Sequence, residues 1–281
     1  SLGEPDFDTP YYIKESAIKA LKEGYTKYTQ VPGVNILREK IIEKFKIENN
    51  LNYSRDQIVV SNGAKQSLAN IAQALIDPGD EAIILAPYWV SYDAIVKMAG
   101  GTPVIVKAGV EQEFKVTADQ IEQAIGPKTK FILFSSPCNP TGSVYSKMEL
   151  EKIAQMMSKY PDIMIVSDEI YEYITFKEHH VSIGSIPSVA EQVITVNGFS
   201  KGFAMTGWRL GYMGAPEWLA KACSKIQGQF TSGATSFGQK AAADILLSDK
   251  TEVHQMKAAF LKRRDLILEL LSDFPGIRLN V

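Results

Sequence analysis

Lys201 is where the sequence offers a nucleophile. It stands in Asn197-Gly198-Phe199-Ser200-Lys201-Gly202-Phe203-Ala204-Met205-Thr206-Gly207-Trp208-Arg209, and the stretch between the lysine and the arginine carries no charge. An ammonium in partly apolar, cationic surroundings is destabilised relative to its amine, which leaves the amine free to form a Schiff base near neutral pH. Solvated surface charges are the competing reading of such a pair, and the uncharged stretch argues against it. Val166-Ser167-Asp168-Glu169-Ile170-Tyr171 puts a carboxylate at the end of an apolar run, where burial demands a cation; a helix cap or a salt bridge is the plainer alternative. Val60-Ser61-Asn62-Gly63-Ala64-Lys65 reads as strand, glycine turn and helix start. Such a start presents unpaired N–H groups and the positive end of a helix dipole to an anion such as phosphate, although an ordinary βα turn has the same sequence. In Ser135-Ser136-Pro137-Cys138-Asn139-Pro140-Thr141-Gly142 two prolines stop a strand and aim the Asn139 amide out of the sheet end, or simply make a rigid turn with an Asx bond.

All four segments follow β-branched runs, and the elements between them explain why. Strands are expected at Gln57–Val60, Glu81–Leu85, Pro103–Val106, Phe131–Phe134, Ile163–Val166, Val193–Val196 and Leu210–Met213. Between and around them, helical spacing predicts helices over Ala64–Ile76, Asp93–Ala99, Ala118–Ile125, Lys147–Lys159, Glu217–Ile226, Gln239–Leu247 and Val253–Leu271, with Tyr11–Glu23 and Asn35–Asn49 ahead of the first strand. The alternation implies an α/β fold of three layers, a mainly parallel sheet covered by helices, with ligands at the carboxyl ends of the strands. The charged Val253–Leu271 helix is expected to run along a surface between domains.

The 281 residues, 45% hydrophobic and 22% charged, exclude a disordered or fibrous chain. A net charge of −2 gives no bulk attraction to nucleic acid or anionic lipid, and no apolar run approaches the roughly 20 residues of a membrane span. Cys138 and Cys223 are too few and too distant for a disulfide framework, which fits a reducing compartment, and a cytoplasmic enzyme is expected. The chain contains no G-x-G-x-x-G after a strand, no P-loop and no G-x-S-x-G elbow, so NAD, ATP and serine-hydrolase sites are disfavoured. His179, His180 and His254 lack metal-ligand spacing and are assigned surface or packing roles; no metal is expected.

Taken together the segments resemble a pyridoxal-phosphate-dependent aminotransferase of fold-type I, in the aspartate aminotransferase family and its bacterial aspartate/prephenate branch. The resemblance rests on S-x-G-x-K-Q at Ser61–Gln66, P-Y-W-V-S-Y at Pro87–Tyr92, N-P-T-G at Asn139–Gly142, S-D-E-I-Y at Ser167–Tyr171 and S-K-x-F-A-M-T-G-W-R-x-G-Y at Ser200–Tyr212, in that order. It implies pyridoxal 5'-phosphate on Lys201 as a Schiff base, with the lysine then shuttling a proton as general base and acid. Asp168 would pair with the ring nitrogen, Tyr171 and Asn139 with the phenolic oxygen, and Trp89 would stack on the ring. The phosphate would be held by the turn at Gly63, by the backbone of Ala64 and Lys65, by Ser200 and by Arg209, whose planar fork suits it. Tyr28 matches the tyrosine that reaches the neighbouring subunit's phosphate, which implies a homodimer, and Gly3, with Trp89 and Asn139, would border the substrate.

The resemblance further implies transfer of an amino group between an L-amino acid, aspartate or glutamate first, and a 2-oxo acid by a ping-pong mechanism. Aromatic amino acids or prephenate, β-elimination on the same fold, and a non-catalytic cofactor-binding regulatory domain are the alternatives. The expected division is residues 1–12 as the N-terminal arm or part of a small domain, 13–250 as the large cofactor-binding domain, and 251–281 as an interdomain helix leading into a small α/β domain. Both ends are expected to be trimmed, with the chain stopping at Val281 inside a strand and the family's substrate-carboxylate arginine beyond it. Two departures from the family pattern stand out: Gly198 where relatives often have serine, and Cys138 where Asn is common, read here as a packing residue.

Overall fold

A computed structural model describes residues 3–177 and 179–279. Its seven strands are β1 (Ile58–Ser61), β2 (Glu81–Ala86), β3 (Thr102–Lys107), β4 (Thr129–Ser135), β5 (Met164–Asp168), β6 (Val193–Gly198) and β7 (Gly211–Gly214). They form one sheet of order β1-β7-β6-β5-β4-β2-β3. Strands β2 to β6 run parallel, while β7 is antiparallel to both β1 and β6. The order reverses direction between β3 and β4, which opens a crevice at the carboxyl edge where ligands of open α/β sheets bind.

The helices are α1 (Tyr11–Lys22), α2 (Asn35–Asn49), α3 (Ala64–Leu75), α4 (Ser91–Met98), α5 (Ala118–Ala124), α6 (Lys147–Met157), α7 (Glu217–Phe230), α8 (Ser236–Ile245) and α9 (Thr251–Leu271). Both sheet faces are covered, so the inner strands are buried on both sides and carry apolar runs rather than strict alternation. On one face Ile84, Leu133, Val166 and Val196 pack with Leu68 and Ile71 of α3, Val96 of α4 and Leu219 of α7. On the other, Ile83, Ile132 and Ile165 meet Ile121 of α5 and Ile153 of α6. Farther along this second face, Ile58, Val60 and Tyr212 pack with Ile13 of α1, Leu37 and Phe45 of α2 and Ile245 of α8.

The sequence-predicted elements are all present, with ends displaced by a few residues; α7 extends to Phe230 and α8 begins at Ser236. The expected strand end at Val281 lies outside the described residues. Two helix starts show how local chemistry divides the molecule. Ser146 and Glu149 cap α6 reciprocally, with Ser146 N donating to Glu149 Oε2 at 2.7 Å. Helix α3 has only Gly63 at its N-cap, at φ +85°, with no side-chain cap. One start is sealed for stability, the other is left open. Among the described residues, no helix is long and apolar enough to cross a membrane.

Candidate active site

The four segments singled out above meet at the carboxyl edge of the sheet. Asp168 ends β5, Lys201 and Ser200 follow β6, Arg209 precedes β7 and Gly63 links β1 to α3. Asp168 is 4% exposed and has no ion-pair partner among the described residues. Burial pushes its carboxyl up to about 6, opposed by the Tyr92 hydroxyl, which donates to Oδ2 at 2.8 Å, and by Ile170 N, which donates to Oδ1 at 3.2 Å. An anion so placed is oriented but not neutralised, and attracts a cationic group.

Lys201 is half-buried, and its Nζ lies 5.6 Å from the Tyr171 ring centroid and donates to the Gly3 carbonyl. Burial lowers its pKa and Arg209 lowers it further, against the pull of Glu4 and Asp168. The amine is therefore more available than that of a solvated lysine. Segment 4–9 crosses over this loop: Thr206 Oγ1 donates to Glu4 at 2.9 Å and Thr9 Oγ1 to the Ala204 carbonyl at 2.6 Å. Tyr171 and Asn139 face each other, with Asn139 Nδ2 donating to the Tyr171 hydroxyl at 3.4 Å.

The anion cradle is built by close approach of backbones. The guanidinium of Arg209 lies against Gly63, where a Cβ would overlap Nη2, and a Cβ at Gly211 would overlap Ala64 N. The N–H groups of Ala64 and Lys65 have no acceptor among the described residues, so the open start of α3 and the arginine face one place. Arg209 Nη1 donates to the Thr206 carbonyl at 2.8 Å and the side chain remains exposed. Trp89 is half-buried, packs edge-on against Tyr92 and has Lys65 Nζ 4.7 Å from its ring. Ser200 is buried beside Lys201.

Some residues fall outside this group or were not assigned a role by the sequence. Tyr28 is 99% exposed, away from its own chain's cluster, beside a concavity of about 480 Å³ lined by Leu21, Lys27, Thr235 and Phe237. Gly198 cannot easily carry a serine here, because a Cβ would stand 2.9 Å from Gly211 Cα and 3.0 Å from the Leu210 carbonyl. Cys138 packs as expected, its thiol donating to the Pro87 carbonyl at 3.3 Å. Tyr92, the last residue of P-Y-W-V-S-Y, contacts Asp168 directly; the motif was visible in the sequence, the contact was not. His180, which spacing alone left as a packing or surface residue, lies beside Glu169 and Glu172.

A buried carboxylate, a half-buried lysine and an open helix start beside an arginine thus gather at one edge of the sheet. The chain matches the family described as Aminotransferase class I and II over residues 1–280, and it belongs to that family. It is 45% identical over 284 residues to a bifunctional aspartate aminotransferase and glutamate/aspartate-prephenate aminotransferase of Petunia hybrida, covering all of this chain and 59% of that protein. To a probable aspartate/prephenate aminotransferase of Rickettsia felis it is 47% identical over 271 residues, 96% of this chain and 66% of that one. The chain thus spans about three fifths to two thirds of the length of these relatives. Among solved structures, the aspartate aminotransferase of Rhizobium meliloti superposes with a TM-score of 0.95 at 40% identity, over 97% of this chain and 68% of that chain.

Proposed function

We propose that the protein is a pyridoxal-phosphate-dependent aminotransferase that moves an amino group between aspartate or glutamate and a 2-oxo acid. The observation that carries the proposal is the convergence of the Lys201 amine, the unneutralised Asp168 carboxylate and the Arg209–Gly63 cradle at one sheet edge. Each answers one part of the cofactor: aldehyde, ring nitrogen and phosphate. Family membership and the aspartate/prephenate names of relatives point to the same substrates.

In this reading Lys201 would hold the aldehyde carbon covalently, Asp168 would accept a hydrogen bond from the protonated ring nitrogen, and Tyr171 and Asn139 would hydrogen-bond the ring oxygen. Trp89 would cover one ring face, while Gly63, Ala64, Lys65, Ser200 and Arg209 would hold the phosphate. When bound, the cofactor supplies an electron sink for the pair left on the substrate's α-carbon. Lys201 Nζ, whose pKa burial lowers, would be the group that moves the proton at that carbon. Segment 4–9 is tied to the Lys201 loop by Thr206 and Thr9, and Gly3, Trp89 and Asn139 would border the substrate.

Tyr28, exposed beside the concavity on its own chain, would reach the phosphate of a second copy, which makes the working form a homodimer. The division into residues 1–12, 13–250 and 251–281 fits the exposure of Leu266, Ile267 and Leu270 along the outer half of α9. The composition suits a cytoplasmic enzyme.

A half-reaction panel tests the reading. Cofactor-loaded protein is mixed with single amino acids and the decay of cofactor absorbance is followed. Aspartate and glutamate should react fastest. Equal rates with aromatic amino acids would overturn the substrate assignment, release of pyruvate and ammonia in place of the matching 2-oxo acid would indicate elimination, and no decay with any amino acid would overturn the reaction class.

A further inference from the structure

Behind Asp168 lies a buried polar cluster that the chemistry above does not use. It joins three parts of the chain: Glu169 and Glu172 in the turn after β5, Lys44 and Asn49 of α2, and His180 with Ser182. His180 Nε2 lies 2.8 Å from Glu169 Oε2, Ser182 Oγ donates to the same oxygen, and Ser167 Oγ donates to Oε1 at 3.0 Å. Lys44 Nζ pairs with Glu172 and donates to Asn49 Oδ1 at 2.7 Å, while Asn49 Nδ2 donates to Glu172 Oε2 at 2.9 Å. Lys44 and Glu169 are fully buried. Donor atoms of Glu169, Glu172 and His180 lie within 4.8 Å of one another. The Lys44 ammonium is already the cation at that place, so the cluster is read as an ion network and not as a metal site.

Charge accounting makes one member unusual. Asp168, Glu169 and Glu172 are three buried carboxylates within five consecutive residues. Lys44 answers Glu172 and Asp168 has no ion-pair partner among the described residues, which leaves His180 as the partner of Glu169. The charged groups around His180 are Glu169 and Glu172 from the turn and Lys44 from α2, with Glu48 behind Lys44 at 3.9 Å. Burial disfavours the imidazolium, but the attraction and hydrogen bond of Glu169, with Glu172 beyond it, outweigh burial and Lys44, so the His180 pKa is raised. The hydroxyls of Ser167 and Ser182 can solvate Glu169 but cannot neutralise it. A second uncompensated carboxylate next in sequence to Asp168 would oppose its ionisation, and Glu169 does act in that direction.

We propose that His180 is a positioning residue: as an imidazolium it neutralises Glu169, and so lets Asp168 hold a negative charge where the ring nitrogen is received. The proposal rests on the cofactor reading given above. Because the compensating cation is a histidine, the support is withdrawn as pH rises through the His180 titration, whereas a lysine would have held it throughout.

The test is a 13C NMR titration of the Asp168 carboxyl in cofactor-free protein, with a parallel scan for the cofactor band after loading. His180→Asn should raise the Asp168 midpoint by about one pH unit, Glu169→Gln should lower it by a similar amount, and the double variant should return it close to that of the unsubstituted protein. A purely structural clamp predicts no such opposite signs and no rescue in the double variant. Unmoved midpoints, shifts of the same sign, or a double variant displaced further than either single one overturn the proposal. If His180→Asn does not fold, 15N NMR of His180 decides instead: an imidazolium over the pH range in which Asp168 ionises, weakened in Glu169→Gln, supports the proposal, and a neutral imidazole there refutes it. A normal cofactor band with unmoved midpoints defeats this inference only, while an unsubstituted protein that develops no band defeats the cofactor reading and this inference with it.

Discussion

Asp168→Asn separates stability from function. In the cofactor-free protein the buried carboxyl titrates at about 6, against 3.8 for the free group, and burial is the main cause. A rise of about two pH units corresponds to about 3 kcal/mol by which the ionised carboxylate destabilises the fold. The sign follows from proton binding. Between these two pH values the folded state holds the proton and the unfolded state does not, so stability falls as pH rises through the window and stays lower above it. Asparagine removes the charge and keeps an acceptor for the Tyr92 hydroxyl, which now donates to Asp168 Oδ2. Urea unfolding of the cofactor-free proteins should therefore show the variant more stable at pH 7.5, by up to about 3 kcal/mol, and the advantage should shrink toward zero near pH 4. The same variant should lose turnover, because an amide cannot keep the ring nitrogen protonated. A variant less stable than the parent at pH 7.5, or a stability difference that does not change with pH, would refute the claim that Asp168 is a strained anion awaiting a cation.

Other substitutions probe the cradle and the frame. Gly63→Ala should weaken cofactor binding at least about tenfold with near-native circular dichroism, because its Cβ meets the Arg209 guanidinium at φ +85°; fluorescence titration reads the affinity. Gly198→Ser, which restores the residue often found in relatives, should destabilise by about 1–3 kcal/mol in thermal unfolding because Gly211 and Leu210 leave no room for it. Leu133→Ala, in a fully enclosed central strand, should cost about 2–5 kcal/mol in denaturant without moving the cofactor band.

The legible part of the fold was its alternation. Strands β2, β4, β5 and β6 carry unbroken apolar runs such as Ala82–Ala86 and Phe131–Phe134 because both faces are covered, and the helices between them keep their 3.6-residue spacing. The site residues inherit that legibility: Asp168 closes a strand, and Gly63, Lys201 and Asn139 follow strand ends by two, three and four residues. What the sequence did not disclose are contacts made across the sheet. The antiparallel entry of β7 depends on the tight turn through Arg209, at φ +51°. Tyr92 reaches Asp168 only because α4 folds back over the sheet, 76 positions away in sequence. Lys44 and Glu172 are 128 positions apart, and an isolated lysine on a helix has the same sequence appearance as a solvated one. Tyr28 is a converse case: fully exposed, it joins a site only in the proposed dimer.

The identity of the lysine that takes the cofactor is the most direct measurement. Protein incubated with pyridoxal phosphate, reduced with borohydride and digested should yield one peptide carrying the stable secondary amine, with fragmentation placing the mass on Lys201. Modification spread over exposed lysines, or a single modified lysine elsewhere with Lys201 untouched, would contradict the account at its centre.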